Sequence, residues 1–524
     1  MDRSLKPALL LSLSAFIVVL STIQIAEYDV WWHLGMGRHI FETWDINSPD
    51  TFSYTISGLQ QFNAEWLGDL LIFLSFKAGG MYGAYTLKAA LLLLTALFLY
   101  LSFRNSSERD STVAAAAALV LVFFALRFRL YIRPFLFSYL FVSVFLYIIT
   151  HFIRNRDMRV LLLLLPAELL WANMSKGAFY GPMLLSIFTA GEFLNRRPSG
   201  RLALMTVLTV AVSLVNPEWY RVYTMPFRMA VLDKGFVVGE HQPLSAQILW
   251  GYGLKYTWAY QVIVLGSLLY LLLGGFRRLS HVFLFCAFFI PSVMLVRLID
   301  FFSIVSGLLL FKFLESAPLR RFEERSPVLT RSSMAAVIVL LTVSAFYSKT
   351  YAFGVGVKEN IFPEQGLKLL ERYGIEGRVF NSYPFGGYMI WNSPSRKVFI
   401  DGRGPQAYTP EFYKGYLEIL NSADAWEEAE RLYDFKIAVL EYDLISGNAN
   451  YPMHLNSDPD WALVHWDDHS AVFLKKLPEY AHVIDAHAYR ILKPNMYDFS
   501  YLDIYVRHGK AGDILEAIER EIGL

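Results

Sequence analysis

Apolar positions come in long unbroken runs through the first two-thirds of the chain and then stop. Residues 8–26, 113–126, 135–153 and 334–347 are each long enough, or nearly so, to cross roughly 30 Å of hydrocarbon as a helix. The first run follows Arg3 and Lys6 but reaches Glu27-Tyr28-Asp29 without a small-x-small cleavage site, so it reads as a retained span. Beyond about residue 351 the apolar stretches shorten to strand length. There 378–381, 388–391, 397–401 and 437–440 read as strands, 410–420 and 423–432 as helices, and 461–466 with 471–474 as a hairpin around Asp467-Asp468-His469. The pattern predicts an α-helical multi-pass membrane bundle over 1–350 and a C-terminal α/β domain over 351–524.

One segment resists this division, since 66–78 is apolar but only about a dozen residues long. Charge decides its reading. With 66–78 as an interfacial or re-entrant helix, the spans after the first fall near 83–103, 111–127, 135–153, 158–172, 178–194, 202–216, 255–274, 280–297, 300–315 and 333–350. The loops on one side then carry Arg3/Lys6, Arg104/Arg109, Arg154/Arg156/Arg159, Arg196/Arg197/Arg201, Arg277/Arg278 and Arg320/Arg321/Arg325/Arg331, which marks them as cytoplasmic. A full crossing at 66–78 would move every cluster after the first to the outside. The expectation is therefore about eleven spans, a cytoplasmic N-terminus, a long first outer loop at 27–82 and an extracytoplasmic C-terminal domain. The turns at 127–133 and 175–180 and the loop at 216–252 share the outer face.

Composition narrows the classes. Only 18% of the 524 residues are charged, below the quarter or so usual in soluble domains, and a 55% hydrophobic content excludes disorder. A net charge of +1 offers no basic excess for a nucleic-acid partner. The single cysteine, Cys286, excludes an intramolecular disulfide framework and a Cys-rich metal site.

The outer face collects the unusual polar residues. Its first loop opens Glu27-Tyr28-Asp29-Val30-Trp31-Trp32-His33-Leu34-Gly35-Met36-Gly37-Arg38. The tryptophans fit interfacial anchors. Glu27 and Asp29 emerge where a span ends, and a charge there is costly without a function or a partner. Asp50 reads as an Asx turn before it reads as chemistry, while Glu65 and Asp69 flank Trp66-Leu67-Gly68. Against the positive-inside trend, Arg127, Arg129, Arg133, Lys176 and Arg297 lie on this same face, although Arg297 also has Asp300 at i,i+3. Guanidinium groups suit bidentate phosphate recognition. A carboxylate beside such cations at the bilayer surface suits a lipid-linked phosphate substrate, the cations meeting the leaving phosphate and the carboxylate taking a proton from the acceptor hydroxyl. In the C-terminal domain the distinctive loops are Phe385-Gly386-Gly387-Tyr388, which lacks the ending of a phosphate-binding loop, and Asp401-Gly402-Arg403-Gly404, where Asp401 reads as an Asp-Gly turn before an acceptor contact.

These features resemble the GT-C superfamily of integral membrane glycosyltransferases that use polyprenyl-phosphate sugars. The resemblance covers about the first 350 residues: a short cytoplasmic N-terminus, one span, a long outer loop with an acidic residue near its start, a juxtamembrane helix over 65–78, and a glycine-led entry at Gly83-Ala84-Tyr85-Thr86-Leu87-Lys88-Ala89-Ala90. The run Asp29-Val30-Trp31-Trp32-His33-Leu34, with Arg133-Pro134, Trp171-Ala172-Asn173 and Asn216-Pro217, looks like a bacterial branch of that superfamily. The adjacent Asp-Glu pair of the protein mannosyltransferases is absent, because Tyr28 separates Glu27 from Asp29. The resemblance implies a glycosyltransferase of a bacterial inner membrane with a polyprenyl-phosphate-linked sugar as donor, a glycan, lipid or protein as acceptor, and membrane lipids as neighbours. It matches Asp29 to the family's acidic catalytic residue, and the clustering on the outer face adds Glu65 as the second catalytic candidate and Arg127, Arg129, Arg133, Lys176 and Arg297 as ligands of the donor phosphate. Glu27, His33, Arg38, Asp50 and Asp69 are candidates for acceptor binding or support. No cofactor is certain; a divalent cation is the candidate, on Asp29 and His33 if that stretch is helical. Two rival classes stand beside this one. A transporter or flippase of a lipid-linked saccharide needs polar residues through the midplane and often inverted repeats, whereas Lys88 and Glu168 are the main ionisable residues within spans and no repeat is evident. A non-catalytic envelope assembly protein would depend on residues after 351 and not on Asp29.

Overall fold

The computed structural model describes residues 2–46, 49–61, 63–108, 111–224, 243–247, 253–316, 323–347, 352–442, 451–494 and 511–523. Asn47, Ser48, Arg109, Arg320, Arg321 and most of the loop 216–252 lie outside the described residues. The chain forms two compact units, one of Met1–Ile25, Met36–Ile46 and Phe62–Gly356, the other of Ala26–Gly35, Asn47–Gln61 and Val357–Leu524.

The first unit is built from helices. In chain order these are α1 (Asp2–Ser21), the later half of α2 (Asp29–Thr43), α3 (Trp66–Ser106), α4 (Thr112–Leu126), α5 (Phe135–Asn155), α6 (Met158–Leu162), α7 (Leu164–Met174), α8 (Tyr180–Leu194) and α9 (Gly200–Ser213). Gly253–Leu272, Leu279–Met294, Ile299–Ser316 and Pro327–Phe346 follow. Long apolar runs become helices because helix is the conformation that satisfies every backbone group within its own segment. Ile299–Ser316 is buried on nearly every face, packed by α4, Gly253–Leu272 and Leu279–Met294, and its Phe311 stacks on Phe103 of α3 with ring centroids 5.0 Å apart.

Hydrogen bonds sort the turns of this unit into two ends. At one, Arg154 Nη1 donates to the carbonyls of Arg104 (2.9 Å) and Ser107 (2.7 Å), and Lys312 Nζ donates to Ser106 (2.9 Å). Arg156 reaches the Pro198 carbonyl at 3.4 Å and Asn195 Nδ2 that of Arg277 at 2.7 Å, so the arginine-bearing turns gather there. At the other end Trp66 Nε1 donates to Asn173 Oδ1 (2.7 Å), Asn173 Nδ2 to the Val215 carbonyl (2.8 Å) and Asn216 Nδ2 to that of Ala64 (3.1 Å). Ser138 Oγ bonds Ser175 Oγ at 2.9 Å, and the neighbouring Tyr139 hydroxyl bonds Asp300, which Arg129 Nε also reaches at 2.8 Å. From α4 to Ile299–Ser316 the chain therefore runs alternately between the two ends.

α3 is not one rod. Gly79 (φ −148°, ψ 21°) and Gly80 (φ 57°, ψ −142°) leave helical geometry, and Gly80 adopts a positive φ that costs an L side chain energy. The short apolar stretch thus ends at Ala78, and a second helical piece carries on to Ser106.

Among the described residues four helices are long and apolar enough to cross a membrane: Trp66–Ser106, Thr112–Arg129, Phe135–Asn155 and Pro327–Phe346. Lys6–Ser21, Gly200–Ser213, Thr257–Leu272 and Leu279–Met294 are apolar but shorter. Pro327–Phe346 leaves Leu329, Val337, Val339, Leu340 and Val343 exposed, which suits a hydrocarbon solvent and not water. These are the helices of a membrane protein.

The second unit holds a four-stranded sheet of β1 (Arg378–Asn381), β2 (Phe435–Glu441), β3 (Trp461–Trp466) and β4 (Ser470–Lys475), in the order β1-β2-β4-β3. β1 and β2 are parallel; β2–β4 and β3–β4 are antiparallel. The expected hairpin is present, its turn fixed by Asp467 Oδ1, which accepts from the amides of His469 (3.0 Å) and Ser470 (2.7 Å). Helices Pro410–Asn421 and Ala423–Tyr433 match the expected pair, each capped by a side chain, Thr409 and Ser422. Two expectations need correction. Residues 388–391 belong to the helix Phe385–Asn392, whose first six residues are all buried, so no alternation marked its period. Residues 397–401 form no strand; Val398 makes an isolated bridge to Ser53.

Candidate active site

Asp29 is the first residue of α2. The helix begins there because Glu27 supplies acceptors for its free amides: Oε2 takes the N–H of Asp29 at 3.0 Å and Oε1 that of Val30 at 3.1 Å. Glu27 is thus a support of the helix start. The reading of the tryptophans as interfacial anchors is corrected, since Trp31 and Trp32 are both buried. Trp31 packs edge-on against Phe362 and Tyr388, with centroids 5.4 and 5.1 Å away, because the apolar residues after 357 supply it with partners. His33 is buried with its ring 3.6 Å from that of Trp32.

Asp50 lies in the same unit. Its Oδ2 accepts the Ser53 amide at 2.8 Å, the turn expected of it, and its Oδ1 is bound by Arg403. Arg403 also reaches Asp401, Nε to Oδ1 at 2.8 Å and Nη2 to Oδ2 at 2.7 Å, and the Tyr408 hydroxyl donates to Asp401 Oδ2 at 2.8 Å. All four side chains are buried. Burial opposes the charge of both carboxylates, and at Asp50 it prevails over Arg403 and raises the pKa. At Asp401 the guanidinium and its hydrogen bonds outweigh burial and hold the carboxyl below the usual range. Asp50 and Asp401 therefore serve the architecture of this unit, and Asp401 is more than an Asp-Gly turn.

The remaining candidates belong to the first unit, at the end opposite the arginine turns. Glu65 Oε2 sits 3.0 Å from Lys176 Nζ, and Glu65 Oε1 accepts the Lys176 amide at 3.4 Å. Asp69 is fully buried and accepts from Asn63 Nδ2 at 2.7 Å. Arg127 is buried, stacked between the rings of Phe124 and Phe128 at 4.1 and 4.0 Å. Arg129 pairs with Asp300 at 2.8 Å, and the Arg133 guanidinium lies 5.1 Å from the Tyr131 ring. Arg38, in the later half of α2, and Arg297, in the turn Val296–Leu298, are half-buried. The structure thus joins Glu65 to Lys176 and Arg129 to Asp300.

No protein-family model matches the chain, and no curated protein matches it in sequence. Solved structures match it in fold. The oligosaccharyltransferase of Archaeoglobus fulgidus, tethered to an acceptor peptide containing the NVT sequon, superposes with a TM-score of 0.59 at 13% identity, over 83% of this chain and 68% of that one. Its apo form gives 0.57 at 12% identity over 83% and 69%, and its complex with Zn and sulfate 0.57 at 14% over 83% and 68%. The fold is oligosaccharyltransferase-like. At such identities the likeness concerns the fold alone.

Within this oligosaccharyltransferase-like fold the metal expectation can be tested on donor chemistry. α2 does place Asp29 and His33 one turn apart, but the His33 ring is packed on Trp32. Among the described residues no three His, Cys, Asp or Glu side chains gather where a cation could sit, which is fewer ligands than an all-protein cage supplies. The described residues do not fit a metal cage. Two groups went unnoticed in the sequence. Glu218 is buried beside Lys176 and Glu65, and burial raises its carboxyl above the usual range against the pull of Lys176; its signal was an acid directly after Asn216-Pro217. Gly402 packs against the Asp29 carboxylate, a contact no local pattern announces.

Proposed function

We propose that the chain is an integral membrane glycosyltransferase of GT-C type in a bacterial inner membrane. It moves a sugar from a polyprenyl-phosphate donor to a glycan, lipid or protein acceptor on the outer face. Residues 1–350 form a transmembrane domain of about eleven spans with a cytoplasmic N-terminus, and 351–524 form an extracytoplasmic domain. The observation that carries this reading is the division of the first unit into an arginine-bearing end and an end where Glu65–Lys176 and Arg129–Asp300 lie. The oligosaccharyltransferase-like fold supports the same class of chemistry.

In this mechanism the attacking atom of the acceptor bonds to the anomeric carbon while the bond from that carbon to the phosphate oxygen breaks. Asp29 takes the acceptor's proton, with Glu65 as the second candidate. The electron pair leaves with the phosphate, whose charge Arg127, Arg129, Arg133, Lys176 and Arg297 meet. Arg129 and Lys176 come to this task already held by carboxylates, so their charges are oriented before the donor arrives. The test is transfer from a radiolabelled polyprenyl-phosphate sugar by the full chain in membranes. Asp29→Asn is expected to lower it at least about 100-fold, and Arg133→Gln roughly tenfold, with unfolding midpoints unchanged. Full transfer by a folded Asp29→Asn protein would overturn the assignment.

A further inference from the structure

Asp29 and Trp32 stand three residues apart on α2, so they project from the same side of the helix. Gly402 lies against both. A Cβ on Gly402 would fall 2.6 Å from Asp29 Oδ1 and 3.4 Å from Trp32 Nε1, so the two atoms are within about 6 Å of each other. Gly402 cannot drift away from them, because its neighbours Asp401 and Arg403 are locked in the buried cluster with Asp50 and Tyr408. The Trp32 side chain is only 5% exposed, yet its indole N–H meets no hydrogen-bond acceptor among the described residues. A buried donor left unmet is costly, so its acceptor comes from outside the described residues, from water or from a ligand.

The chemistry of the pair restricts that ligand. A single atom about 2.8 Å from each partner bridges a gap of up to about 5.6 Å, and it must accept from the indole while donating to the carboxylate. A hydroxyl does both. An ammonium offers no lone pair, and an ether or phosphate oxygen carries no proton. We propose that Asp29 and Trp32 together bind one hydroxyl of the acceptor, and that Gly402 is the positioning residue that leaves the carboxylate room beside the indole. The inference rests on Asp29 as the base and adds the groups that hold the acceptor hydroxyl against it, the Trp32 indole and the space left at Gly402. The hydroxyl proton passes to Asp29 as the oxygen bonds to the anomeric carbon and the phosphate departs, so the product is O-linked.

The test uses the full chain labelled with fluorotryptophan in detergent micelles, with the Trp32 fluorine signal assigned by its loss in Trp32→Phe. Methyl α-glucopyranoside should shift that signal saturably, and its fully O-methylated derivative should not. Gly402→Ala should abolish the shift and lower transfer at saturating donor at least tenfold, with KM for the donor within twofold of wild type. A Trp32 signal that ignores both probes, or answers both alike, overturns the inference, and this comparison in the wild type stands even if Gly402→Ala fails to fold. Full transfer by folded Asp29→Asn alongside a hydroxyl-specific Trp32 shift would instead remove Asp29 as base and leave the hydroxyl site in place.

Discussion

Arg403 holds two carboxylates in a place closed to water, and the two respond to acid in opposite senses. The folded pKa of Asp401 lies below its unfolded value, so its contribution is complete above the ordinary carboxylate pKa of about 3.9 and is lost as pH falls toward the folded value. Asp50 has a raised pKa, so taking up its proton favours the fold as pH falls. The acid sensitivity of this cluster therefore belongs to Asp401. Thermal unfolding of the second unit should lose stability below about pH 4, less so in Asp401→Asn, and Asp50→Asn should retain the loss. An Asp401→Asn profile as steep as wild type would contradict this. Arg403→Met strands both acids and should cost about 3–5 kcal/mol, read as a lowered unfolding midpoint.

Elements were legible where length or turn chemistry constrained them. The apolar stretch 66–78 closes at the same place in the sequence and in the structure, at the break at Gly79-Gly80. The hairpin turn at Asp467 and the helices after Thr409 and Ser422 carry their caps in the sequence. The segment 388–391 was not legible, because a few consecutive apolar residues suit either period. The site is harder still, since Gly402 packs on the Asp29 carboxylate from far along the chain and no local pattern links them. The break itself makes a sharp prediction. Gly80 holds φ 57° with ψ −142°, a region closed to side chains, whereas Gly79 sits at φ −148°. Gly80→Ala should destabilise the first unit by about 1–3 kcal/mol and Gly79→Ala by clearly less, measured as thermal midpoints in one detergent. Equal effects would mean that the break is set by its surroundings and not by Gly80.

At the scale of the whole molecule, a net charge of +1 conceals a division between faces. Arginine clusters spaced along the sequence are what the positive-inside rule uses, and the hydrogen bonds of the first unit bring those same turns to one end. Composition sets the orientation and packing sets which turns meet, so the two are tested separately. Reporters inserted after Arg104, Arg197 and Arg277 must all lie on one side of the membrane if the packing is right, whichever side that is. They must all report cytoplasm if the charge rule sets the orientation. A split result would break the alternating bundle, and with it the gathering of Glu65, Lys176, Arg129 and Asp300 at the opposite end. Three extracytoplasmic signals would keep the bundle but invert it, which would place the proposed transfer on the cytoplasmic face.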